Sequence, residues 1–113
     1  MKIANNTFNL QVLQAEATIW KAKNFPNAMA YQPLLGVVEE VGELTHTHLK
    51  MEQGIRLDEQ LLEKKIDAVG DIVIYLTHYC ILNGIDLHSA VFNTWQDVKE
   101  RDWIKYPNNG KTK

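Results

Sequence analysis

Three glutamates interrupt the apolar run Gly36-Val37-Val38-Glu39-Glu40-Val41-Gly42-Glu43-Leu44. Two aspartates interrupt a second run, Ile66-Asp67-Ala68-Val69-Gly70-Asp71-Ile72-Val73-Ile74-Tyr75-Leu76. Helical positions three and four apart share a face. Glu39 with Glu43, Glu40 with Glu43, and Asp67 with Asp71 all have that spacing. A carboxylate among Val and Ile is costly unless something compensates it, and no Lys or Arg lies nearer in sequence than Lys64 and Lys65. A divalent cation compensates better, because hard oxygen donors are what Mg²⁺ or Ca²⁺ requires. It also turns the repulsion between gathered carboxylates into coordination. Gly42 precedes Glu43 and Gly70 precedes Asp71, each costing about 1 kcal/mol against alanine in a helix interior. Such glycines permit close helix approach or leave room for a ligand. The pattern predicts a carboxylate metal site built between two helices.

The elements that must position these acids are helical. Apolar residues recur at helical period almost throughout, and nothing alternates over strand length. The first helix is expected from Thr7 as N-cap to about Lys23, with Phe8, Val12, Ala15 and Ile19 turned inward. Asn24-Phe25-Pro26-Asn27 breaks it. A second helix starts near Gln32-Pro33 and runs to about Glu52, stopped by Gln53-Gly54. Asp58 is the expected N-cap of a third through Leu82, ended by Asn83-Gly84. Asp86 then caps a fourth to about Trp103, its inward stripe being Leu87, Val91, Trp95 and Val98. The chain from about Tyr106 reads as a mobile polar tail. A short connection makes the second and third helices antiparallel neighbours, which sets the two acidic clusters opposite one another. The third helix is apolar nearly all round from Ile72 to Leu82, more than one small bundle can cover. A homo-oligomer, dimer or tetramer, with this helix in the interface is therefore expected.

With 113 residues, 45% of them hydrophobic, the chain has the size of one domain, residues 1–113. A formal charge of −2 gives no general affinity for nucleic acid or anionic membrane. Cys80 is the sole cysteine, within an apolar helical run, so it reads as a core residue. The start shows no signal-peptide pattern, and Ile66 to Leu82 is too short and too polar, with Asp67, Asp71 and His78, for a membrane span. A soluble cytoplasmic protein is the expectation.

Glu39-Glu40-Val41-Gly42-Glu43 followed by Asp71 resembles the MazG-like branch of the all-α nucleoside triphosphate pyrophosphohydrolases. That superfamily carries Glu-Glu-x-x-Glu on one helix and Glu-x-x-Asp on the next. The first motif is matched in full; in the second, Ala68 stands three before Asp71, and Asp67 is the nearest acid. Glu52-Gln53-Gly54-Ile55-Arg56 and Trp95-Gln96-Asp97-Val98-Lys99-Glu100-Arg101-Asp102-Trp103 are similar to small phage and bacterial members, and the likeness covers roughly residues 30 to 110. The resemblance implies a four-helix MazG-like bundle completed by oligomerisation. It implies Mg²⁺-dependent hydrolysis of a nucleoside triphosphate, NTP or dNTP, to monophosphate and pyrophosphate, with Mn²⁺ as a substitute metal. Carried over, Glu40, Glu43 and Asp71 are metal ligands, Asp67 replaces the family glutamate, and Glu39 holds a further metal or orients the attacking water. Asn93, Lys99 and Arg101 on the fourth helix are the implied phosphate-binding residues, although Gln96 takes the family's lysine position. Trp20, with Phe25, is placed to stack a base.

Two other readings stand beside this one: a non-catalytic helical interaction protein with a degenerate nucleotide site, and a divalent-metal binding bundle. His46 and His48 are a poor chelate, since alternate helical positions point about 200° apart. Glu43-Leu44-Thr45-His46 matches half of a di-iron motif, but Ile74 stands where the second would need its histidine.

Overall fold

The computed structural model describes residues 4–112, and within them every regular element is helical. Helix α1 spans Leu10–Asn24, α2 Gln32–Gln53, α3 Leu61–Leu82 and α4 Leu87–Val98, with single 3-10 turns at Asn5–Thr7 and Leu57–Glu59. No single helix is long and apolar enough to cross a membrane.

Local chemistry explains the boundaries. The Asn9 side chain caps α1 by accepting from the Val12 N–H at 2.8 Å. Thr7, the expected cap, instead spends its hydroxyl on the Ala4 carbonyl. Pro33 sits in the first turn of α2, where a missing N–H costs nothing, and Gly54 closes the helix at φ 67°. Asp58 lies in the 3-10 turn rather than capping α3, which begins after Gln60. Asn83 and the left-handed Gly84 end α3 as expected. Asp86 is the residue before α4, but its carboxylate accepts from the Ser89 hydroxyl and not from the backbone.

Helix α4 ends at Val98, five residues short of Trp103. The Arg101 N–H tightens onto Val98, and the Asp102 N–H turns away to the Gly110 carbonyl at 2.7 Å. The Asp102 carboxylate then receives the Ile104 and Lys105 amides. The segment expected to be a mobile tail is thus folded back as successive turns, held also by Lys111 and Arg101 on Asp97.

Helices α2 and α3 form the main packed pair, α1 lies on α3, and the substantive contacts of α4 are with α1. The α2–α3 seam runs through Pro33, Val37, Leu44 and Thr47 on one side and Leu61, Ala68, Ile72 and Tyr75 on the other, all buried or half-buried. Thr47 and Thr77 have no exposed surface and satisfy their hydroxyls on the Leu44 and Val73 carbonyls. Cys80 is buried, as expected, and burial pushes its thiol pKa up, with Asp86 adding to the effect. The Gln14 amide holds α1 to the α3–α4 turn. Its Nε2 donates to the Ile85 carbonyl at 2.8 Å, and its Oε1 accepts the Leu87 N–H at 2.9 Å.

Phe8, Ala15 and Ile19, expected inside, are exposed. The covered face of α1 is Leu13, Gln14, Ala17 and Lys21, a second stripe at the same period. On α4, Leu87 is buried while Val91, Trp95 and Val98 are open.

One chain therefore does not close a bundle. Its radius of gyration is 17.6 Å, where a compact domain of this length has about 13 Å. Its accessible surface is 8618 Å², against about 6,300 Å² for a compact monomer of 13.0 kDa.

Candidate functional site

The antiparallel pairing of α2 and α3 brings the two acidic clusters into one electrostatic neighbourhood. Glu40 lies on the inner seam of α2 and is half-buried, whereas Glu39 and Glu43 on the flanking faces are exposed. Burial holds the Glu40 carboxyl above its ordinary pKa, and the charges of Asp71, Glu39, Glu43 and Asp67 push it further in the same direction. Asp71 is also raised, by burial first and then by the charge of Asp67, one turn away on the same helix. A carboxyl held among like charges is relieved by protonation or by a nearby cation. None of the five acids is paired with a basic side chain among the described residues. Nor do any three His, Cys, Asp or Glu side chains among the described residues already converge into a set that could hold a metal ion. The cluster is a gathered group of acceptors, not a closed cage.

Gly42 and Gly70 have open space where a side chain would begin, so neither is required by packing within the chain. Of the two roles expected for them, room is what they leave. Close helix approach occurs at Gly36, where a Cβ would overlap the ring of Tyr75.

Asp71 also lines a cavity of about 330 Å³ between α1, the loop after it, and the near ends of α2 and α3. Trp20 and His78 stack in its wall, centroids 5.7 Å apart and planes 18° apart, with Phe25 edge-on to Trp20 and Tyr75 edge-on to His78. Lys21 reaches the cavity from a residue only 6% exposed, without an ion-pair or hydrogen-bond partner for its ammonium among the described residues. His78 is 7% exposed and its Nε2 is buried with no hydrogen-bond partner. Burial and the nearby Lys21 charge lower the His78 pKa, so the ring is neutral at physiological pH.

Trp20 is thus the one expected substrate residue that lies beside the acids. Asn93, Lys99 and Arg101 belong to α4 and the turn after it, and α4 packs on α1 rather than on the α2–α3 pair that carries the carboxylates. The Arg101 guanidinium is engaged by Asp97 at 2.7 Å and lies over the Trp103 ring. His46 and His48 diverge to different acids, Glu59 and Glu52. Lys21, Tyr75 and His78 were missed from sequence. Asp71, Tyr75 and His78 stand at i, i+4 and i+7, one face of α3, which was the available signal.

No protein-family model, no curated protein sequence and no solved structure matches this chain significantly.

Proposed function

We propose that this chain is a Mg²⁺-dependent nucleoside triphosphate pyrophosphohydrolase of MazG-like type, cytoplasmic and working as a homo-oligomer. The observation that carries the reading is the junction of two features at Asp71. Asp71 shares the electrostatic neighbourhood of Glu40 with Glu39, Glu43 and Asp67, none of which has a basic partner among the described residues, and it also lines an aromatic cavity reached by Lys21. Acids that raise one another's pKa suit a hard divalent cation, and Glu40, Glu43, Asp67 and Asp71 would hold it. When bound, Mg²⁺ or Mn²⁺ supplies charge neutralisation of the phosphates and acidifies water.

The chain's own groups account for the rest. Glu39, exposed beside the cluster, accepts a proton from the water that attacks the α-phosphorus. Trp20 stacks the base in the cavity, which puts the triphosphate toward Asp71. Lys21 offers donors to the nucleotide, and Lys99 or Arg101 offsets charge on departing pyrophosphate if a second copy brings α4 to the site. No Gly-rich phosphate loop exists in the sequence to support γ-phosphate cleavage.

The oligomer is supported by unmatched stripes. Leu62, Ile66, Val69, Val73 and Leu76 repeat at 4-3-4-3 spacing on α3, and all are exposed, Ile66 by 66%. That spacing is a coiled-coil seam. On α2, Leu34, Val38, Val41 and Leu49 form a comparable exposed row. The surface excess, about 2,300 Å², is on the scale that obligate homodimers bury.

The test is hydrolysis of a triphosphate panel in ¹⁸O-water. Label in the monophosphate and unlabelled pyrophosphate are expected. Orthophosphate and a diphosphate as primary products would overturn the mechanism. The unconverged carboxylates favour a second reading, a non-catalytic helical interaction protein; metal binding without turnover would instead indicate a divalent-metal bundle.

A further inference from the structure

His78 carries the one buried side-chain nitrogen or oxygen among the described residues that has no hydrogen-bond partner, Nε2. Thr77 and Thr47, equally deep, close their hydroxyls on helix carbonyls. His78 is 7% exposed, and its ring stands in the cavity wall with Trp20, Phe25 and Tyr75. Burial and the Lys21 charge keep the ring neutral, so it is not held there as a cation.

Packing alone does not call for a histidine at this position. The ring stacks on Trp20 and meets Tyr75 edge-on, contacts that a phenylalanine would make without burying a nitrogen. A buried polar atom left unmatched lowers stability, and native interiors hold few of them. That loss is offset where a bound molecule supplies the missing partner. The rest of the wall is largely apolar or aromatic, with Trp20, Phe25, Pro33, Ile74 and Tyr75, and such a lining takes the flat, uncharged part of a ligand.

We propose that His78 is a ligand-binding residue of this cavity, its Nε2 forming a hydrogen bond to the nucleoside part of the bound nucleotide. This rests on the reading that the nucleoside of a triphosphate occupies the cavity beside Trp20. A neutral imidazole nitrogen gives or takes a hydrogen bond according to its tautomer. The partner is therefore an uncharged hydroxyl, ring nitrogen or carbonyl, and the bond secures the nucleoside without choosing its base. Nε2 is closed to solvent in the free chain, so the bond forms only as the wall around His78 shifts. Trp20, stacked on His78 and half exposed, is the side of that wall with room to move.

Calorimetric titration with dAMP, dCMP, dGMP and dTMP requires no turnover, and at least one of them should bind. In protein labelled with ¹⁵N-histidine, that nucleotide should move the His78 Nε2 resonance and leave those of His46, His48 and His88 in place. His78→Phe keeps the ring and removes the nitrogen. Its ligand-free melting temperature should hold or rise, while its affinity for the same nucleotide falls about tenfold. In an active enzyme KM should rise by the same factor, with kcat changed by less than about twofold. His78→Gln, whose side-chain amide stands in for Nε2, should bind more tightly than His78→Phe. If no triphosphate is hydrolysed yet a monophosphate binds and His78→Phe weakens it, the His78 assignment stands and the hydrolase reading fails. If His78→Phe binds as well as the parent chain, the nitrogen is served by water alone and the assignment is overturned, even in an active enzyme. It is overturned equally if the His78 resonance ignores the nucleotide, if no nucleotide binds, or if melting temperature and affinity fall together and His78→Gln restores neither.

Discussion

The ring of Tyr75 lies against the backbone of Gly36, in the space a side chain there would take. This is where α2 and α3 come closest through a glycine, and it sets the aromatic wall one turn from Asp71. Gly36→Ala should destabilise the fold by about 1–3 kcal/mol through overpacking, despite the gain in helix propensity. Gly42→Ala, facing open space, should stabilise an isolated chain by up to about 1 kcal/mol. Urea midpoints of the two variants decide it; equal effects would mean that the ring moves aside freely.

Stability should depend on pH and metal in a linked way. The folded pKa values of Glu40 and Asp71 lie above their ordinary ones, so the folded chain binds protons more tightly than the unfolded chain. Their contribution is fully present below about pH 4 and is lost as pH rises through the raised values. Near pH 7, metal-free Asp71→Asn should therefore melt above the parent chain. Mg²⁺ should raise the melting temperature of the parent chain and not of the variant. A parent chain that ignores Mg²⁺ in thermal scans at pH 7 would sink the cation assignment.

Activity should follow the same carboxylates. Glu43→Gln and Asp71→Asn should each lower kcat by about 100-fold or more while helicity is retained, on the scale of losing one electrostatic group at a phosphoryl centre. Asp67→Asn should weaken Mg²⁺ dependence, whereas Glu63→Gln, outside the cluster, should change little. Equal small effects from the last two would leave three acids to carry the metal.

Assembly has its own readout. Val69→Glu with Val73→Glu alters two residues that are open in a single chain, so a monomer should tolerate the pair within about 0.5 kcal/mol. If α3 is the seam between copies, the pair should convert the sedimenting species to monomer. A parent chain that sediments as a monomer at micromolar concentration contradicts the oligomer.

Periodicity and punctuation made much of the architecture legible. Pro33, Gly54 and Asn83-Gly84 marked ends that local chemistry alone dictates, and those boundaries match to within a residue. Choices between competing faces were not legible. On α1, Phe8-Val12-Ala15-Ile19 and Leu13-Ala17-Lys21 are both helical stripes, and which one is covered depends on how α1 meets α3. Helix α4 stops short of Trp103 because the Asp102 N–H is taken by the Gly110 carbonyl, a contact of the folded tail that no helical period encodes. The acidic cluster was readable from spacing, because i and i+4 geometry is local. The cavity is not: Lys21, Gln32 and His78 lie on three different elements, brought together only by tertiary packing.

The two bonds of Gln14 have a mechanical consequence. One amide grips the carbonyl before α4 and the first amide within it, so the terminal helices are geared together through a single side chain. Trp20 sits six residues further along α1, about 9 Å up the axis. The cavity wall therefore stands on a helix whose register against the start of α4 is fixed by that amide.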